Sequence, residues 1–128
     1  LRKILNFGHT IGHAIEGYSL LHDEHSLLHG EAIAVGMICE GYLSHKLNGL
    51  SLEELEDLIT TFRKNFADYQ FDDSIDHELL SLMNNKKKNH SNQIGFALLN
   101  KIGSCDYDIF VTEDLIIESL DFYRNLIA

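Results

Sequence analysis

His29-Gly-Glu-Ala-Ile-Ala-Val-Gly-Met-Ile-Cys-Glu-Gly-Tyr-Leu-Ser-His-Lys-Leu47 is the stretch on which the fold turns. Ala32, Ile33, Ala34, Val35, Met37, Ile38, Cys39, Tyr42 and Leu43 nearly surround a helical axis, and a helix apolar on most faces is buried rather than merely amphipathic. The pattern predicts a core helix over 29–47 with Asn48-Gly49 as its C-terminal stop. The remaining elements then pack around it.

Upstream, residues 3–18 read as a helix with Ile4, Leu5, Ala14 and Ile15 as apolar positions. Gly8 and Gly12 lie one turn apart, so another backbone can approach that face closely. Residues 19–26, with His22, Asp23, Glu24 and His25, read as an exposed polar loop. Downstream, Ser51-Leu-Glu-Glu54 has the form of a capping box. It opens a third helix in which Leu52, Leu55, Leu58, Ile59 and Phe62 recur on one face. Residues 76–85 predict a fourth helix and residues 86–93 a polar loop. Residues 94–99 and 105–110 predict an antiparallel strand pair joined through Lys101-Ile-Gly103. Thr112 is placed to cap a last helix carrying Leu115, Ile116, Leu120, Phe122 and Leu126. The expected fold is mainly α: one domain over 1–128, about five helices, and a small antiparallel β-strand pair near the C-terminus.

Bulk properties narrow the function. With 128 residues, 45% hydrophobic and 23% charged, the chain can bury a core of its own. No run approaches the roughly 20 apolar residues of a membrane span, and the first residues do not read as a secretory signal. A formal charge of −10 argues against nucleic acid as a partner. The bases concentrate instead at Arg2, Lys3 and Lys86-Lys87-Lys88, which suits a small anionic ligand as well as plain solvated surface. Cys39 and Cys105 read as two buried thiols, and without a cysteine framework a reducing cytoplasm is the default. The chain lacks an initiator Met and enters helical sequence at once, which reads as a piece of something longer.

The chemistry concentrates in Asn6-Phe-Gly-His9-Thr-Ile-Gly-His13-Ala-Ile-Glu16 and Leu28-His29-Gly-Glu31. His9 and His13 are four apart and share a helix face, so both imidazoles can serve one metal or ligand. His29, at the start of the core helix, faces a cleft or simply solvent. Glu31 reads as a base, a partner to a ligating histidine, or a first-turn acid favoured by the helix dipole, and the last needs the least. Spacing alone suggests a zinc site of His9, His13 and His29 with one position open. The absence of His-Glu-x-x-His disfavours a metalloprotease helix.

Arg2 through Glu16, followed by Leu28-His-Gly-Glu-Ala32, closely resembles 3-dehydroquinate synthase, within the sugar-phosphate cyclases. The lysine tract, Ile94-Gly-Phe-Ala-Leu-Leu99 and Ile102-Gly103 fit the same family. The resemblance implies a lyase of the shikimate pathway of aromatic amino-acid biosynthesis. Its substrate is 3-deoxy-D-arabino-heptulosonate 7-phosphate, and its products are 3-dehydroquinate and phosphate. It implies zinc, with other divalent metals possible, and NAD, which is bound chiefly by an N-terminal domain that this sequence does not contain. His9 and His29 would be metal ligands, the third being a glutamate from upstream. His13 and Asn6 would be catalytic and contact the substrate phosphate region. Arg2 would bind the substrate carboxylate, and Lys87 the phosphate, although Lys86 stands where the family usually has Asp. A cytoplasmic homodimer is implied for the complete protein, with this part inactive and weak in zinc binding by itself. The rival readings are a 2-deoxy-scyllo-inosose or epi-valiolone synthase, a non-catalytic helical metal-binding or interaction module, and a zinc hydrolase using Glu31.

Overall fold

The computed structural model describes residues 6–87 and 93–128, the side chains of residues 85–87 excepted. Among these, five α-helices and one hairpin follow in order: α1 (His9–His22), α2 (His29–Leu47), α3 (Leu52–Asn65), α4 (Asp76–Lys87), β1 (Ile94–Lys101), β2 (Ser104–Val111) and α5 (Glu113–Ile127). A short 3-10 turn, Asp73–Ile75, leads into α4. The mainly helical architecture with a single late strand pair is the one the sequence predicts.

α2 is the hub. α1, α3, α5 and β1 all pack on it, and it buries Val35, Ile38, Cys39 and Leu43. Enclosing each large aliphatic side chain contributes about 1.5–3 kcal/mol, and this helix presents them in several directions. Burial also pushes the Cys39 thiol far above its ordinary range, with the Glu40 charge adding to the effect. It is an inert core thiol. Cys105 is only half-buried, because β2 lies on the outer side of the hairpin while β1 faces the core.

Local signals set most boundaries. At α3 the Ser51 hydroxyl accepts from the Glu54 N–H at 3.1 Å, and the Glu54 carboxylate accepts from the Ser51 N–H at 3.3 Å. Thr112 accepts from the Leu115 N–H at the start of α5. α2 ends at Leu47 and is capped by Asn48, followed by Gly49 at φ 89°. The buried Ser44 joins two layers: its hydroxyl donates to the Glu40 carbonyl at 2.7 Å and accepts from the Leu99 N–H at 2.9 Å. The strands pair from Ile94 opposite Val111 to Lys101 opposite Ser104. An irregularity between Phe96 and Leu98 coincides with Asp108 at φ 59°, a conformation aspartate tolerates at a bulge.

Besides the exposure of Cys105, three helix boundaries need correction. α1 begins at His9 and does not extend back through residues 6–8, because Gly8 turns left-handed at φ 85° immediately before it; residues 3–5 of the expected helix lie outside the described residues. It runs to His22, so residues 19–22 continue the helix and the loop shortens to 23–28. α4 reaches Lys87 rather than stopping at 85, since lysines and asparagines do not break a helix as glycine or proline would.

Candidate metal centre

The contact that builds the site is a backbone-to-backbone crossing of α1 and α2. A Cβ on Gly36 would come within 2.5 Å of the Gly12 nitrogen and also strike the Gly8 carbonyl. One on Gly8 would meet the Met37 side chain and lie 3.2 Å from its nitrogen. The close approach expected of Gly8 and Gly12 is therefore real, with Gly36 as its unforeseen third member.

This crossing directs His9, His13 and His29 to one place. Ring centroids lie 5.0 Å apart for His9 and His13, and 5.9 Å from each of these to His29. One donor nitrogen from each falls within 4.8 Å of the others. Two nitrogens on one zinc stand roughly 3–4 Å apart, so the spacing here is somewhat looser than a bound ion would hold. His9 is half-buried, whereas His13 and His29 are exposed. The cluster opens to solvent.

The hydrogen bonds assign the ring nitrogens. His9 Nδ1 lies 3.1 Å from the Phe7 carbonyl, and His29 Nδ1 lies 3.1 Å from a Glu16 carboxylate oxygen. Both oxygens accept, so each Nδ1 is the donor, and in the neutral ring Nε2 is then the nitrogen that offers a lone pair. That is how a ligating histidine is oriented and made more basic. Imidazole donors of this kind suit zinc, cobalt and their neighbours, and the residues present fit a divalent ion.

Two glutamates underpin the arrangement. Glu16 follows His9 and His13 at helical spacing on the same face, a signal that reading the motif only for its histidines passes over. Glu40 is fully buried in α2. Its two carboxylate oxygens accept from the Gly8 and Ile11 N–H groups, each at 2.8 Å. An acid in the middle of a buried apolar run is the clue to such a partner. Glu31 has a simpler role: its carboxylate accepts from the Leu28 N–H at 2.8 Å, closing the first turn of α2. The interhelical loop is held by Ser19, which accepts from the Leu27 N–H and donates to Asp23, while the Tyr69 hydroxyl donates to the same carboxylate. Burial, and then that hydrogen bond to Asp23, raise the Tyr69 phenol above its ordinary range, so it remains a donor.

Residues 1–89 match the family model described as 3-dehydroquinate synthase C-terminal. The chain belongs to the 3-dehydroquinate synthase C-terminal family. It is 44% identical over 98% of its length to the 3-dehydroquinate synthase of Parabacteroides distasonis, covering 35% of that protein. It is 36% identical over 91% of its length to that of Picrophilus torridus, covering 33%. Among solved structures it resembles a 2-deoxy-scyllo-inosose synthase complexed with carbaglucose-6-phosphate, NAD+ and Co2+. That match has a TM-score of 0.72 and 26% identity, and covers 95% of this chain and 33% of the other. The chain thus spans about a third of the length of these relatives.

Of the residues singled out in the family motifs, the fold brings His9, His13 and His29 together, and Asn6 stands exposed in the turn just before α1. Arg2 lies outside the described residues. Lys87 enters only as the last backbone position of α4, its side chain lying outside them too. Among the described residues, no helix is long and apolar enough to cross a membrane.

Proposed function

We propose that this chain is the metal- and substrate-binding part of a 3-dehydroquinate synthase, converting 3-deoxy-D-arabino-heptulosonate 7-phosphate to 3-dehydroquinate and phosphate. The observation that carries the reading is the meeting of His9 and His29, from successive helices, with each Nδ1 held by an acceptor. These two would hold zinc, completed by a carboxylate from outside this sequence. NAD would likewise be bound by a domain outside it. When bound, the cation supplies a Lewis acid beside the substrate hydroxyls.

The remaining roles follow from residue chemistry. His13, exposed beside the two ligands, would contact the departing phosphate and hold or pass a proton there. Asn6, three residues before His9, would donate a hydrogen bond to the same group. Arg2 offers a planar fork for the substrate carboxylate, and Lys87 a compact charge for phosphate. The open face suits a site closed by a further domain, since Leu28, next to His29, is 72% exposed. The complete protein would act in the cytoplasm as a homodimer, and this part alone would not turn over substrate.

The likeness to 2-deoxy-scyllo-inosose synthase supports one rival, a sister cyclase acting on a sugar phosphate without the carboxylate. The 44% identity to a dehydroquinate synthase, against 26% to that structure, favours the first reading. The test uses the complete protein with zinc and NAD, assayed on the heptulosonate phosphate and on a hexose 6-phosphate. Turnover of the first only, with His29→Ala lowering metal affinity more than about 100-fold and abolishing activity, is the expected result. Full metal binding and turnover in that variant removes the metal role, and preference for the hexose phosphate favours the sister cyclase.

A further inference from the structure

We propose that Glu40 is a positioning residue for the metal centre, setting through two buried hydrogen bonds the backbone that carries His9. The inference rests on the reading of His9 as a ligand. The bonds bracket that residue, one at the Gly8 N–H just before it and one at the Ile11 N–H two positions after. His13 follows one turn later on the same helix, so both imidazoles of α1 inherit their placement from α2. His29 sits on α2 itself. The carboxylate therefore fixes α1 histidines in register with the α2 histidine, and sites of this kind require placement to within about 0.5 Å.

A structural reason explains why the acceptor comes from 32 positions away. α1 lacks a side-chain cap and has no acid in its first turn. Residue 8 cannot supply a cap, because it is left-handed and any Cβ there would strike Met37. The orphan N–H groups must be satisfied by another element, and Glu40 lies one turn beyond Gly36, which touches the same segment of α1. An apolar side chain would fill the space without burying a charge, but would leave both donors unsatisfied. Glutamine preserves the shape yet offers one acceptor and one NH2 to two N–H donors, so one pair meets donor to donor.

The test measures Co2+ and Zn2+ affinity of the complete protein by chelator competition, together with the cobalt d–d absorption spectrum and the thermal transition. Glu40→Gln is expected to weaken binding about 10–100-fold and to alter the cobalt spectrum of the folded protein. Glu40→Asp keeps the charge but shortens the reach, and should lose less. A folded Glu40→Gln protein with wild-type affinity and spectrum overturns the proposal. So does failure of both variants to fold, which assigns the carboxylate to stability alone. His9→Ala is the control: if it too binds metal normally, the ligand reading itself fails, whereas metal loss in His9→Ala alone removes only the role of Glu40.

Discussion

At His29 the Nδ1 proton meets the Glu16 carboxylate across 3.1 Å, between side chains 58% and 25% exposed. So exposed a pair contributes little to folding, about 0–1 kcal/mol, but it decides which way the ring faces. Glu16→Ala should therefore lower the metal affinity of the complete protein about 10–100-fold while leaving its melting temperature nearly unchanged. Glu16→Gln keeps a neutral acceptor and should fall between. Chelator competition checks the first claim and calorimetry the second; wild-type affinity in Glu16→Ala would mean that the contact orients nothing. Residues of this kind differ in how legible they are. His9, His13 and Glu16 share a helix face that spacing alone reveals, and adding His29 to that set was readable as a guess about the start of a core helix. Arg2, Asn6 and Lys87 carry no periodic signal: charge clustering hints at Arg2 and the lysine run, but only the family motif gives them roles and singles out Asn6. Glu40 stands in plain view within an apolar run, but its partners lie on another element and no local pattern points to them.

Between elements, the α1–α2 crossing depends on glycines for room rather than for flexibility. Gly36→Ala places a methyl group against the Gly12 nitrogen and the Gly8 carbonyl, and backbone on both helices has little freedom to yield. The expected cost is about 1–3 kcal/mol, seen as a lower urea midpoint, together with weaker metal binding as the histidine-bearing helices separate. Gly17→Ala is the contrasting change on α1, since its methyl would rest 3.7 Å from the Leu82 side chain. It should be neutral or stabilise by about 0.4–1 kcal/mol and leave the metal alone. Equal effects of the two substitutions would remove the steric account. Element bounds were legible wherever a cap or a stop is written locally, as at α2, α3 and α5. Among the described residues the pattern misplaces both ends of α1, because its start is held by a carboxylate on another helix. Its end carries neither glycine nor proline to mark it.

Across the whole molecule, one buried ion pair that stabilises the fold stands well away from the histidine cluster. Arg124 of α5 donates from two nitrogens to the Asp76 carboxylate at 2.8 and 3.0 Å, and also to Asp121. Its side chain is 13% exposed and that of Asp76 8%. Burial works against the guanidinium charge, yet the bonds to Asp76 and Asp121 outweigh it and raise the pKa further. This pair joins the last helix to the first turn of α4, whose Glu78 reaches His22 at the far end of α1. From there His13 is nine residues back along the helix, roughly 13 Å at 1.5 Å per residue. Breaking a buried pair leaves a charge stranded and costs about 3–5 kcal/mol, and sites without shared partners act additively. Arg124→Ala should therefore lower unfolding stability by about that much while metal affinity, measured on the folded protein below the urea transition, stays at the wild-type value. An unchanged midpoint would show that the pair contributes nothing, and a parallel loss of metal would show that the histidine cluster depends on the packing of α5 after all.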